Sequence, residues 1–154
     1  MTLRFSLLAA SLSLALPAHA ATTALHCGNL FDAASGRLLG PSTVLVQNER
    51  VQAVRPGRVE VAGATVIDLG GHTCSPGWID LHVHVGQQSN PNSFSEGFRL
   101  DDVDFALRAT RYVRRTIEAG FTTVRDMGGE IAPHLRDAIN QGVIPGPRIF
   151  AAGK

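Results

Sequence analysis

The sequence predicts an α/β chain in which a small β unit precedes alternating strands and helices. Three observations carry this. Short β-branched runs broken by glycine and proline extend to Pro76, and no helical stripe appears among them. Beyond Pro76 a long stretch repeats its apolar residues every three or four positions. From Trp78 to Ala152 the order reads strand, helix, strand, helix, strand. The expected organisation is therefore a leader over 1–20, a β-rich subdomain over 21–76 and an α/β part over 77–154.

The leader comes first. Arg4 precedes an apolar run from Phe5 to Leu16, Pro17 breaks the run, and Ala18-His19-Ala20 gives a small-x-small cleavage pattern. The run is about 12 residues, short of the ~20 that a membrane-spanning helix needs. The expectation is a signal peptide cut after Ala20 and an exported protein, periplasmic or secreted, with no membrane attachment after cleavage.

Ala24–Cys27, Leu30–Asp32, Thr43–Val46, Val51–Val54, Val59–Val61 and Thr65–Asp68 are short β segments bounded by turn residues. Together they predict a small antiparallel unit. In an oxidising compartment Cys27 and Cys74 either pair or remain two separately buried thiols, and the sequence leaves both open.

After Pro76, Trp78–Val85 reads as a strong strand. Asp101–Ala119 carries Val103, Ala106 or Leu107, Thr110, Val113 and Ile117 at helical spacing, with Asp101 or Asp102 as cap and Gly120 as the stop. Its Arg108, Arg111, Arg114 and Arg115 read as a solvated outer face rather than a phosphate patch. Phe121–Arg125 is the next strand, Pro133 opens a short helix ending near Gly142, and Arg148–Ala152 is the third strand. Strands alternating with helices imply parallel pairing through right-handed crossovers. Three parallel strands leave an open edge, and 154 residues are fewer than the roughly 200 of an eight-stranded (β/α) barrel. The chain is therefore expected to be the N-terminal part of a longer barrel.

Composition narrows function. Apolar residues at 44% and charged residues at 18% fit a packed domain rather than a disordered one. Fourteen basic against thirteen acidic side chains leave a formal +1, with no electrostatic footprint for nucleic acid or an anionic membrane. Two cysteines are too few for a disulfide scaffold or a four-thiolate zinc site.

The informative stretch is Ser75-Pro76-Gly77-Trp78-Ile79-Asp80-Leu81-His82-Val83-His84-Val85. Side chains alternate along a strand, so Ile79, Leu81, Val83 and Val85 face one way and Asp80, His82 and His84 the other. The strand rise puts the two imidazoles roughly 6–7 Å apart at Cβ, within reach of a single ion. Asp80 lies one layer below and is expected to orient the site rather than bind the ion. His72, in the turn Gly70-Gly71-His72, and His134, in the first turn of the second helix, read as surface residues. Asp126 either reaches the mouth of the site or forms a surface arrangement with Arg125. Gln87–Leu100 is a polar loop whose Phe94 and Phe98 either shape a substrate pocket or pack on the rim.

Pro76–His84 resembles the first-strand motif of the metal-dependent amidohydrolase superfamily. Thr116–Gly129 and Gly142–Ile149 are similar to the branch containing imidazolonepropionase-like amidohydrolases and Xaa-Pro or Xaa-Arg/Lys dipeptidases. The upstream segments resemble that family's accessory β-sandwich, and the likeness spans essentially all of 24–154. It implies the N-terminal part of a TIM-like (β/α)8 amidohydrolase barrel, truncated after its third strand and preceded by a small β-sandwich subdomain. It further implies two divalent metal ions, zinc foremost, with His82 and His84 binding the more buried one. A carboxylated lysine from the fourth strand, histidines from the fifth and sixth, and an aspartate from the eighth would complete the site. Lys154 is the one lysine in the sequence, but it follows the third strand and reads as a loop residue. No catalytic residue beyond the two ligands is expected here, so residues 21–154 alone should bind metal poorly and catalyse nothing detectable. The implied reaction is hydrolysis of a small-molecule amide or dipeptide C–N bond by metal-activated water. Rival readings are a mononuclear deaminase or cyclic-amide hydrolase of the same superfamily, and a non-catalytic exported β-rich binding module whose histidines are incidental.

Overall fold

The computed structural model describes residues 21–153. The expected signal peptide and Lys154 lie outside the described residues. The described chain divides into two compact units between Ser75 and Pro76.

The first unit contains β1 (Thr22–Asp32), β2 (Arg37–Leu38), β3 (Ser42–Gln47), β4 (Arg50–Pro56) and β5 (Thr65–Cys74). β1 pairs antiparallel with β2 and β3, and β3 pairs antiparallel with β4. The β3–β4 turn places Asn48 and Glu49 at φ 50° and 61°, the two left-handed positions of a tight hairpin whose twist matches its strands. The wholly antiparallel arrangement expected from the sequence is not what forms, because β5 pairs with β1 in parallel. β4 already runs in the direction of β1, and the chain from Gly57 to Ala64 crosses over so that β5 keeps that direction on β1's other edge.

That crossover also replaces the strand expected at Val59–Val61. Buried Thr43 donates its hydroxyl to the Gly57 carbonyl (2.8 Å) and accepts from the Val59 N–H (2.9 Å). The Val59 carbonyl accepts from Nε2 of buried His26 (3.2 Å). Two side chains thus take up the hydrogen bonds a ladder would have supplied. Ala24, Cys27, Val44 and Leu45 form the apolar interior of the unit. Cys27 and Cys74 are joined as a disulfide with Cα atoms 5.8 Å apart, tying β1 to the end of β5. His72 lies within β5 and is exposed, so the expected turn at Gly70–His72 is extended strand instead.

The second unit contains β6 (Trp78–Val83), α1 (Ser93–Glu96), α2 (Asp102–Glu118), β7 (Phe121–Asp126), α3 (Ile131–Asn140) and β8 (Arg148–Ala151). Its sheet runs β6-β7-β8 with both pairings parallel. α2 starts where Asp101 accepts from the N–H groups of Val103 and Asp104 (both 3.0 Å) while Asp104 accepts from the Asp101 N–H (3.2 Å). This reciprocal cap contributes about 1 kcal/mol. The helix stops at Ala119, with Gly120 at φ 93° carrying the chain into β7.

The buried face of α2 is turned from the expected stripe. Ala109 and Val113 are wholly buried, but Val103 and Leu107 are 66% and 68% exposed. Those two line an apolar groove of 410 Å³ with Ile131, Leu135 and Ile144. Ala109 and Val113 instead join Val85, Val124, Ala132, Leu135 and Ile149 in the core. The segment expected as a plain polar loop contains α1, anchored by an ion pair between Glu96 and Arg108 (2.8 Å).

Candidate metal centre

β6 is seated by its first residues. A Cβ on Gly77 would collide with the Thr122 side chain, so only glycine lets the strand approach β7 there. The Trp78 N–H then donates to the Gly120 carbonyl (2.9 Å). Along β6 the aliphatic face divides. Val83 and Val85 pack into the core, whereas Ile79 and Leu81 are each 62% exposed. The helices account for this, since α2 lies against β7 and α3 against β8. Asp80, His82 and His84 occupy the other face, with both histidines exposed at the C-terminal end of the strand.

The β6–β7 ladder is irregular between Asp80 and Val83, and side chains satisfy what it leaves open. The Leu81 carbonyl accepts from Arg125 Nε (2.8 Å), and the His82 N–H donates to Asp80 Oδ1 (3.0 Å). The Val83 carbonyl accepts from the Met127 N–H (3.0 Å), and the Val85 N–H donates to Asp126 Oδ2 (2.7 Å). The main chain of His82 and of the residues flanking both imidazoles is thereby fixed by its neighbours.

The imidazole rings lie 5.8 Å apart between centroids, at 69° to one another. Nδ1 of His84 is 3.3 Å from the Gly128 carbonyl. A carbonyl only accepts, so Nδ1 carries the proton and Nε2 keeps a lone pair for a ligand bond. Beside this ring is a pocket of 230 Å³ lined by Gly86, Gln87, Phe105, Gly128 and Ile131. Two neighbouring imidazoles with one ring already oriented fit part of a divalent metal site. Among the described residues no cluster of three or more His, Cys, Asp or Glu side chains could hold an ion.

The remaining candidates fall elsewhere. Asp80 is half-buried and bound to the His82 backbone. Asp126 is wholly buried, and Arg125 turns to the Leu81 carbonyl. The Arg125–Asp126 surface arrangement left open by the sequence does not form, because consecutive strand residues point to opposite faces. His134 is exposed on α3. Phe94 and Phe98 are 84% and 78% exposed and meet edge to face at 5.1 Å, so neither packs on a rim. Arg108 and Arg114 pair with Glu96 and Glu118 on the solvated side of α2. The bonding roles of Arg125 and Gly128 were not read from the sequence. The paired glycines Gly128 and Gly129, one residue beyond Asp126, were the one signal of an unusual turn there.

Residues 73–154 match the amidohydrolase family. The chain belongs to that family. The family match takes in β6 and both histidines, and the solved relatives extend the likeness across both units. A Xaa-Pro dipeptidase with methionine bound in its active site superposes with a TM-score of 0.79 at 35% identity, over 87% of this chain and 34% of its own. A prolidase in complex with N-methylphosphonate-L-proline gives a TM-score of 0.72 at 34% identity, over 86% and 32%. Ochratoxinase of Aspergillus niger is 29% identical over 79 residues, 51% of this chain and 16% of that protein. The chain thus spans about a third of its structural relatives and about a sixth of that curated one.

Proposed function

We propose that this chain is the opening part of an exported metal-dependent hydrolase that cleaves amide or dipeptide-like C–N bonds with metal-activated water. The observation that carries the reading is the neighbouring pair His82 and His84 at the C-terminal end of a parallel strand. The parallel β6-β7-β8 sheet supports reading this unit as the first three strands of a (β/α)8 barrel, a fold whose chemistry sits at that end of its strands. Residues 22–74 are then the beginning of an accessory β-sandwich. The methionine and the phosphonate-proline analogue bound by the similar proteins favour a dipeptide or an acylated amino acid as substrate.

In this reading His82 and, through Nε2, His84 would hold one divalent ion, with zinc matching the imidazole donors. The other ligands and a second ion belong to residues outside 1–154. When bound, the ions supply an acidified water and a Lewis acid for the scissile carbonyl. The chain's own residues keep the imidazoles ready. Asp80 and Arg125 fix the backbone on either side of the Leu81–His82 peptide bond. The Gly128 carbonyl accepts from Nδ1 of His84, which aims the ring and leaves Nε2 as the nitrogen that would bind the ion. The pocket beside His84 has the size for a substrate side chain, and Phe105 and Ile131 give it an apolar wall.

The test uses the whole natural protein, loaded with zinc and assayed on Xaa-Pro dipeptides and N-acyl amino acids. Replacing His82 or His84 with alanine should lower zinc occupancy and reduce kcat/KM at least roughly 100-fold. Undiminished hydrolysis in the double variant contradicts the proposal. Export is checked by the mature N-terminus, expected at Ala21.

A further inference from the structure

We propose that Asp126 is a positioning residue for His84, acting through the Gly128 peptide. The inference rests on reading His84 as a metal ligand. Asp126 is wholly buried, and both of its oxygens accept backbone N–H groups. Oδ2 takes the N–H of Val85, the residue directly after His84, at 2.7 Å. Oδ1 takes the N–H of Gly128 at 3.0 Å, and the carbonyl of that same glycine meets Nδ1 of His84 at 3.3 Å. One carboxylate therefore grips the main chain on both sides of the imidazole.

The geometry of Gly128 makes the grip necessary. Its φ of 138° lies in a region that residues with a Cβ rarely adopt, and Gly129 follows at 123°. Two consecutive glycines in such conformations have little intrinsic preference for one peptide orientation. The bond to Asp126 fixes the Met127–Gly128 peptide, the chain's entry to Gly128, and the Gly128–Gly129 peptide that carries the carbonyl is held from its far end by the Gly129 N–H on the Gly153 carbonyl (3.2 Å); the two together turn the Gly128 carbonyl to the ring. The rest of the carboxylate's surroundings keep it in place. Its own carbonyl accepts from the Ala152 N–H (3.2 Å), and the next residue, Met127, donates to the Val83 carbonyl (3.0 Å).

Burying a carboxylate is costly unless charge-assisted hydrogen bonds compensate, and two backbone donors do so here. An aliphatic residue would fill the same volume beside Val85 and Val124 without that cost. What it would not do is anchor the Gly128 N–H and so fix the chain's entry to Gly128. An asparagine keeps one acceptor oxygen but presents an NH₂ group to the second backbone N–H. One of the two grips is lost, and with it the fixed proton on Nδ1.

The experiment uses the whole natural protein and compares wild type with Asp126→Asn, Gly128→Ala and His82→Ala. Two quantities are read: the His84 tautomer in metal-free protein, from ring ¹⁵N shifts, and the Zn²⁺ dissociation constant, by chelator competition. The wild type should show Nδ1–H at His84. Asp126→Asn and Gly128→Ala should mix the tautomers and weaken Zn²⁺ binding about 10–100-fold. His82→Ala should weaken binding further while leaving the His84 tautomer unchanged. A merely structural Asp126 would lower the melting temperature without moving the tautomer. Wild-type tautomer and affinity within twofold in Asp126→Asn, alongside lost binding in His82→Ala, overturns this inference and leaves the metal reading standing. Unchanged Zn²⁺ affinity in His82→Ala overturns the metal reading, and the tautomer alone then decides the role of Asp126. Should Asp126→Asn fail to fold, Asp126→Ser, which removes the carboxylate in a smaller side chain, carries the test, with the same two outcomes.

Discussion

Arg125 shows how a single side chain completes this sheet. The break in pairing after Asp80 leaves the Leu81 carbonyl without a ladder partner, and the Arg125 guanidinium supplies one at 2.8 Å. Replacing Arg125 with alanine hands that carbonyl to water, and a denaturation midpoint should register a loss of about 1 kcal/mol. An unchanged midpoint would show that the bond contributes nothing to stability. At this scale the histidine pair was legible, because a strand's period of two puts Asp80, His82 and His84 on one face whatever the strand packs against. The burial of Asp126 was not. A neighbouring arginine reads as a surface ion pair, and only the register that sets Val83 opposite Asp126 brings the carboxylate beneath the Val85 N–H.

The elements follow local chemistry closely where that chemistry is strong. The Asp101 cap, the Gly120 stop and the parallel strands all stood in the sequence. The face that α2 buries did not. Its small and aliphatic residues form a broad stripe, and packing on β7 selects Ala109 and Val113 while Val103 and Leu107 border a groove with α3. The parallel β5 was equally hidden, since strand direction depends on which edge of β1 is free. The segment from Gln87 to Leu100 makes a prediction at this scale. Hydrogen bonds from Asn90 and Arg108 hold the Glu96 carboxyl below the ordinary glutamate value of 4.5. A depressed folded-state pKa means that the anchoring is complete above the unfolded value and lost as pH falls through the lower folded one. Limited proteolysis of this loop should therefore run faster in Glu96→Gln than in wild type at neutral pH. The difference should vanish as the pH drops below 4.5 and through the depressed value. A difference that persists in acid would mean that Glu96 does not anchor the loop through its charge.

The whole chain is two units, each with its own means of holding together. In the first, the disulfide closes a loop of 47 positions, and the chain-entropy model gives it on the order of 4 kcal/mol. Changing Cys27 and Cys74 to serine, or adding reductant, should lower the unit's unfolding free energy by about that amount. Denaturation curves that coincide with and without reductant would remove the disulfide from the account. In the second unit, Ile79 and Leu81 on the edge strand remain exposed, and the first of its structural relatives is about three times as long as this chain. The sequence spoke clearly about what each unit contains, because period and turn chemistry are local. It was silent on the pairings that bring distant residues together.

Binding of one ion by His82 and His84 is what the proposed function stands on. Zinc-edge anomalous diffraction from crystals of the zinc-loaded whole protein tests it most directly. The predicted result is a peak about 2.0–2.1 Å from Nε2 of both rings. Zinc bound elsewhere, with the two imidazoles turned away from it, would rule that binding out.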